Sequence, residues 1–176
     1  GKKLCPCIAA KDYKKAGNGD KGPNTGGMGS VAPSPEITPE HFEDFRRNIM
    51  EPTLAGLHDE MLDFKGFIFF GLMITANGTY LLEYNMRLGD PETQSLLPLL
   101  ENSLLDVILD CIDGKDVELK FSDKKAVCLV MCSGGYPGNL DIGYEITGLE
   151  KVKHSQILLA GAKYKADRIV TSGGRV

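Results

Sequence analysis

Residues 66–94 read GFIFFGLMITANGTYLLEYNMRLGDPETQ and contain the clearest structural signal in the chain. Two apolar runs flank the dipeptide Asn77-Gly78, which is a strong signal for a tight turn between antiparallel strands. We therefore expect a β-hairpin, with strands over residues 66–75 and 79–85.

Five polar side chains lie within ten residues at and beyond the end of the second strand. Glu83 and Asn85 share a face because side chains alternate along a strand, and their oxygens suit a hard cation such as Mg²⁺. Arg87 follows on that side if the strand continues, and its planar fork suits phosphate or carboxylate. Asp90 and Glu92 are expected to begin a helix, where the dipole favours carboxylates. A solvated strand end followed by a capped helix would explain the same spacing equally well.

Upstream of the hairpin, an apolar run over residues 4–10 predicts a strand. Residues 17–35 hold clustered glycines and prolines and are expected to be irregular. The asparagine, threonine and glycine content of this segment favours a ligand-binding loop over a linker, although a linker remains open. Thr38 and Pro39 predict a helix start, and Pro52 should kink or divide that helix.

Downstream of the hairpin, residues 91–113 have apolar positions at helical spacing, interrupted at Pro98 and ended at Gly114. The pattern then changes to short strands. They are expected at residues 125–132, 144–148, 156–160 and 168–172. We place a domain boundary between residues 1–115 and residues 116–176.

Composition excludes several classes of function. The net charge is −4, which disfavours nucleic-acid binding because phosphate contacts need a basic face. No apolar run approaches the roughly 20 residues that span a bilayer, so no membrane partner is expected. The five cysteines lack the accompanying ligands of a zinc site and are read as reduced thiols of a cytoplasmic protein.

Three motifs together resemble the phosphoribosylamine–glycine ligase family, the glycinamide ribonucleotide synthetases of the ATP-grasp superfamily. The resemblance runs from about residue 4 to residue 176 and indicates the C-terminal portion of such an enzyme. It implies an α+β fold: the C-terminal half of an ATP-grasp domain, an antiparallel sheet with helices, followed by part of a small β-rich domain. The motifs are Gly22-Pro23-Asn24-Thr25-Gly26-Gly27-Met28-Gly29, Glu83-x-Asn85-x-Arg87-x-Gly89-Asp90-Pro91-Glu92-x-Gln94 and Thr171-x-Gly173-Gly174-Arg175-Val176.

The resemblance implies a reaction in which ATP phosphorylates glycine and 5-phosphoribosylamine attacks the glycyl phosphate. It implies that Glu83 and Asn85 hold Mg²⁺ or Mn²⁺ and that Arg87 and Asp90 are catalytic. It also implies that Glu92 contributes to substrate binding. The remaining substrate-binding residues are Asn24, Thr25, Gly26, Gly27, Met28 and Gly29, whose backbone amides are expected to be free to approach anions.

Some features depart from the family pattern. Leu88 replaces the usual Phe of the RFGDPE motif, and Tyr13 replaces a frequent His. The strand over residues 66–75 lacks a carboxylate, so two protein ligands would have to suffice for the metal. The N-terminal substrate domain and adenine pocket of the family would precede this segment, so the fragment is expected to need them and to be inactive alone.

Two other functions stay open at this stage. One is an ATP-grasp ligase for a different carboxylate and amine. The other is a non-catalytic module that binds nucleotide and has kept the motif.

Overall fold

The computed structural model describes residues 1–176 and divides into two compact units. The first comprises Gly1–Asp12 and Ser30–Cys128, and the second comprises Tyr13–Gly29 and Leu129–Val176. The glycine-rich segment therefore folds with the C-terminal part of the chain. None of the helices is both long and apolar enough to span a membrane.

The chain has nine strands and four α-helices, with short π and 3₁₀ turns between them. The strands are β1 Lys11–Asp12, β2 Lys15–Gly17, β3 Lys21–Asn24, β4 Gly29–Ala32, β5 Phe69–Thr75, β6 Gly78–Asn85, β7 Ala126–Leu129, β8 Ala162–Lys165 and β9 Arg168–Thr171. The helices are α1 Pro39–Phe45, α2 Glu51–Asp59, α3 Glu92–Leu96 and α4 Leu104–Asp113.

The predicted hairpin is confirmed as the antiparallel pair β5 and β6. Its two turn residues are Ala76 and Asn77, because Gly78 already belongs to β6 and pairs with Thr75. Helices α1 and α2 cover one of its faces. Phe70 packs edge-on against Phe45 of α1 and against Tyr84 of β6, with ring centroids 5.2 and 5.4 Å apart. The Tyr84 hydroxyl lies 2.6 Å from the hydroxyl of Thr53 on α2. Tyr84 thus faces the helices, as alternation predicts.

The helix predicted from residue 38 is confirmed, with Thr38 as its N-cap accepting a hydrogen bond from the His41 amide at 3.3 Å. The helix is divided near Pro52, as expected. A π-helical turn over Arg46–Met50 separates α1 from α2, and Pro52 lies in the first turn of α2, a position that tolerates proline.

Two expectations about the first 35 residues are wrong. Residues 4–10 form no strand, because their backbone pairs with no continuous partner; the Ala9 carbonyl only accepts a single bond from Ser34. Residues 17–35 are not wholly irregular, since β3 and β4 lie within them. Glycine content was misleading here because β4 has a strand partner on each side in the sheet β1-β4-β7, and these partners hold it in an extended conformation.

The helical stretch after residue 91 is confirmed in pieces. Helix α3 passes into a 3₁₀ turn over Leu97–Leu99 that contains Pro98, and α4 follows with Ser103 as N-cap. Gly114 ends α4 in the left-handed conformation, with φ of 72°, as the C-cap signal predicts.

The predicted strands of the last 50 residues are confirmed only in part. The 125–132 run contains β7 and the 168–172 run contains β9, which pairs with β8. Residues 144–148 make one isolated bridge, from Glu145 to Val170, and residues 156–160 form no strand. Strand β7 is also less buried than its apolar run predicts.

Candidate functional site

The two predicted metal ligands lie side by side at the end of β6. The Asn85 side-chain amide donates to a Glu83 carboxylate oxygen at 3.0 Å. Glu83 is exposed and Asn85 half-buried, so the pair is open to solvent on the face away from α1 and α2. One carboxylate and one amide carbonyl are hard oxygen donors, which fit Mg²⁺ or Mn²⁺ better than a softer metal.

Gly71 makes room for this pair, and no sequence motif had indicated its role. Gly71 lies opposite Glu83 in the hairpin register. A β-carbon at Gly71 would come within 2.8 Å of the Glu83 Cγ. The register shifts directly after this position. The glycine and the bulge together let the Glu83 side chain lie across β5, as bulges often do beside functional side chains.

The chain contains no group of three or more His, Cys, Asp or Glu side chains placed to hold a metal ion. That Glu83 and Asn85 are the two protein ligands of a metal stays a prediction. Mg²⁺ commonly binds one or two protein oxygens together with substrate phosphates and water, so the pair fits such an ion.

Arg87 follows after β6 has ended at Asn85, so strand alternation does not extend to it. Its side chain is exposed, and its Nη1 donates to the Leu88 carbonyl at 2.8 Å. No carboxylate pairs with this guanidinium. Its remaining donors can therefore serve an anionic ligand in the forked geometry that suits phosphate.

Asp90 and Glu92 differ in exposure. Asp90 is exposed and accepts a hydrogen bond from the Gln94 side chain at 2.8 Å. Glu92 begins α3 and is only 9% exposed. A β-carbon at Gly89 would meet the Glu92 carboxylate at 2.5 Å and the Phe69 ring at 2.8 Å. The glycine of the motif thus leaves space for a buried carboxylate under the turn.

A buried hydroxyl pair fixes the start of α3, and sequence reasoning missed it. The Ser30 hydroxyl donates to the Pro91 carbonyl at 2.6 Å and lies 2.8 Å from the Ser95 hydroxyl. Ser95 in turn donates to the Glu92 carbonyl at 3.0 Å. Ser30 is 1% exposed and Ser95 is not exposed at all. The turn that carries Asp90 and Glu92 is thereby tied to β4.

We expect Ser30→Ala to lower the free energy of unfolding of the chain by about 1–3 kcal/mol, because it leaves the buried Pro91 carbonyl without this donor. Urea denaturation followed by circular dichroism measures the change. Ser155→Ala is the matched control, since Ser155 is exposed and should shift stability by less than about 0.5 kcal/mol. Equal stability of the two variants would show that the hydroxyl pair contributes nothing.

The glycine-rich residues predicted to bind substrate lie in the second unit, and their amides are not free. The amide of Thr25 donates to the Lys14 carbonyl, that of Gly27 to the Thr25 hydroxyl and that of Met28 to the Tyr13 carbonyl, at 2.7, 3.0 and 2.8 Å. The expectation of free amides is therefore wrong for this stretch. The carbonyls of Tyr13 and Lys14 and the Thr25 hydroxyl satisfy these donors.

Two side chains from the C-terminal part of the chain bind Gly26. Its amide donates to the Tyr136 hydroxyl at 2.8 Å, and its carbonyl accepts from Arg175 Nη1 at 2.7 Å. Arg175 belongs to the third motif, so the structure joins the first and third motifs within the second unit.

Met28 makes a sulfur contact in the same unit. The Cys132 thiol lies 3.9 Å from the Met28 sulfur. Burial raises the pKa of the Cys132 thiol, and the nearby Arg175 guanidinium acts in the opposite direction. The thiol is therefore held protonated near neutral pH and acts as a weak donor beside Met28.

The structure thus groups the predicted residues into two sets. Glu83, Asn85, Arg87, Asp90 and Glu92 form one continuous stretch in the first unit, and residues 24–29 lie in the second.

Comparison with known proteins identifies the family. Residues 1–93 match the family model described as phosphoribosylglycinamide synthetase, ATP-grasp (A) domain, and residues 126–176 match the C domain of the same synthetase. The chain belongs to the phosphoribosylglycinamide synthetase family. The α+β fold class, with parts of an ATP-grasp domain and of a C domain, is confirmed.

Individual members of the phosphoribosylglycinamide synthetase family are similar to this chain along its whole length. A phosphoribosylamine–glycine ligase of Clostridium acetobutylicum is 47% identical over 100% of this chain and 42% of its own length. A trifunctional purine biosynthetic protein of Gallus gallus is 40% identical over 100% of this chain and 18% of its own length. The crystal structure of phosphoribosylamine–glycine ligase from Thermotoga maritima matches with a TM-score of 0.87 and 35% identity, covering 100% of this chain and 44% of that one.

The chain therefore spans less than half the length of these synthetases. The predicted boundary near residue 115 falls between the two family matches and stays a prediction.

Proposed function

We propose that the full-length protein containing this chain is a phosphoribosylamine–glycine ligase that uses ATP. The observation that carries this proposal is the match of two separate segments to one synthetase family, whose similar relatives bear that name. The solvent-open Glu83–Asn85 pair and the unpaired Arg87 guanidinium support it, since phosphoryl transfer depends on positioning and charge neutralisation.

The proposed reaction has two steps. A carboxylate oxygen of glycine attacks the γ-phosphorus of ATP, and the bond from that phosphorus to the bridging oxygen breaks to release ADP. The amine of 5-phosphoribosylamine then attacks the carbonyl carbon of glycyl phosphate. The carbon–oxygen bond breaks, phosphate leaves with its electron pair, and the nitrogen loses a proton. Glycinamide ribonucleotide results.

Glu83 and Asn85 would hold the divalent cation, Mg²⁺ or Mn²⁺, through one carboxylate and one amide oxygen. The bound cation neutralises phosphate charge. Gly71 supports this role because it leaves the space in which the Glu83 side chain lies.

Arg87 would neutralise charge on the transferred phosphoryl group, because its exposed guanidinium keeps donors available. Asp90, which is exposed and lies three residues after Arg87, would orient the amine. Glu92 would contribute to substrate binding by supporting the turn from below, which suits its burial against Gly89. Residues 24–29 would line the substrate pocket with side chains and backbone whose own conformation is already fixed.

We place the protein in the cytoplasm, and the five free cysteines support a reducing compartment. Its partners would be ATP, glycine and 5-phosphoribosylamine, together with the remainder of the same protein. The division into residues 1–115 and 116–176 remains our proposal for the domain boundary.

The isolated 176-residue chain is expected to release no ADP above background when incubated with ATP, Mg²⁺, glycine and 5-phosphoribosylamine. The physical reason is that a chain spanning 42% of the Clostridium ligase lacks much of the surface that would surround the nucleotide. A coupled ADP assay measures this, with the full-length protein as positive control. Turnover by the isolated chain would contradict the expectation.

Oxygen transfer tests the proposed function. Glycine labelled with ¹⁸O in its carboxylate is supplied to the full-length protein with ATP and 5-phosphoribosylamine, and mass spectrometry follows the label. One ¹⁸O should appear in inorganic phosphate for each glycinamide ribonucleotide formed. Label transfer with another carboxylate and amine, but not with this pair, would make the protein a different ATP-grasp ligase. Metal-dependent ATP binding without any label transfer would favour a non-catalytic module.

A further inference from the structure

Both backbone polar groups of Gly26, its amide and its carbonyl, are bound by side chains from a distant part of the sequence. Tyr136 Oη accepts from the Gly26 amide and Arg175 Nη1 donates to the Gly26 carbonyl. These bonds bridge sequence separations of 110 and 149 residues. Nothing in the local sequence around Gly26 requires either contact.

Gly26 lies in close contact with the Arg175 guanidinium. A β-carbon at this position would lie 3.0 Å from both Cζ and Nε of Arg175. The guanidinium therefore rests directly on the backbone of the glycine-rich segment, and a side chain at this position would require it to shift.

The two side chains themselves project from well-tied backbone. The Tyr136 amide donates to the Ser133 carbonyl at 3.3 Å, and the Tyr136 ring packs against Gly174. The Arg175 carbonyl accepts from the Gly161 amide at 2.8 Å. Both side chains can thus hold the glycine-rich segment in one conformation.

We propose that Tyr136 and Arg175 are positioning residues that fix the Gly26 peptide and so set the conformation of residues 24–29 for substrate binding. The inference rests on the proposed function, because it assigns these two side chains to the segment that would line the substrate pocket. It extends that function by giving the C-domain part of the chain a role in shaping a segment of the ATP-grasp part. Neither residue need touch substrate.

Tyr136→Phe tests the proposal because it removes only the hydroxyl and keeps the ring against Gly174. In the full-length protein, amide hydrogen exchange at Gly26, followed by mass spectrometry of the peptides that contain it, should become about tenfold faster, as expected for loss of one hydrogen bond. In the full-length protein, kcat/KM for glycine or 5-phosphoribosylamine should fall about tenfold while KM for ATP stays unchanged. Tyr164→Phe, at an exposed tyrosine of the same unit, is the matched control.

Arg175→Lys and Arg175→Met provide a second pair. Lysine can still donate to the Gly26 carbonyl and should restore part of the kcat/KM that methionine removes. Unchanged exchange at Gly26 in Tyr136→Phe would overturn the proposal, and so would faster exchange with unaltered kinetics for every substrate. Failure of the proposed function can be told apart from failure of this inference. If the wild-type protein were inactive in the ligase assay, the proposed function would be wrong, while hydrogen exchange at Gly26 would still test the positioning role.

Discussion

Glu83→Ala in the full-length protein is expected to reduce metal-dependent ADP release by about 10²- to 10³-fold. The substitution removes the only carboxylate of the Glu83–Asn85 pair, and a metal clamp on phosphates is worth several kcal/mol of transition-state stabilisation. Glu83 is exposed, so the fold should be retained. ADP release measured across a range of Mg²⁺ and Mn²⁺ concentrations gives both the rate and the apparent metal affinity.

The control for this variant is Glu60→Gln, which neutralises an exposed carboxylate at the end of α2. It should leave both quantities within about twofold of wild type, since isolated surface substitutions have small effects. A wild-type rate and wild-type metal dependence in Glu83→Ala would show that Glu83 does not bind the metal.

Arg87→Met is expected to lower kcat by about 10²- to 10³-fold with a smaller effect on KM for ATP. Its guanidinium donors would be used most strongly where charge develops during phosphoryl transfer, which is the condition for an effect on kcat. Single-turnover kinetics separate this step from product release.

Arg87→Lys should recover only part of the lost rate, because lysine keeps the charge but lacks the planar fork. Arg47→Met is the matched control, at an exposed arginine of the π-helical turn. A rise in KM for ATP with unchanged kcat would instead make Arg87 a ground-state binding residue.

The features that the sequence predicted correctly have local causes. The hairpin between β5 and β6, the N-cap at Thr38 and the C-cap at Gly114 each depend on residues within a few positions of one another. The proximity of Glu83 and Asn85 follows from strand alternation alone, and the structure brings them to 3.0 Å.

The features that sequence reasoning missed depend on contacts between distant segments. The Ser30 and Ser95 hydroxyls meet across 65 residues, and Arg175 reaches Gly26 across 149. Composition suggested free amides in the glycine-rich segment, but tertiary partners supplied by Tyr13 and Tyr136 satisfy them. Spacing within a motif cannot reveal such partners, because they are set by the fold.

The apolar run over residues 125–132 shows a similar limit. It predicts a buried strand, yet Val127 and Leu129 are 73% and 81% exposed. Strand β7 has β4 as its only neighbour in the three-stranded sheet, and no second layer covers those two side chains. An apolar pattern predicts burial only where the chain also provides the covering layer.

ADP release by the full-length protein, with glycine and 5-phosphoribosylamine each omitted in turn, beside Glu83→Ala, tests the proposed ligase function and the role of Glu83 together. Release is expected to require both substrates and to fall about 10²-fold or more in the variant. Release that needs neither substrate, or that persists unchanged in Glu83→Ala, would contradict this expectation.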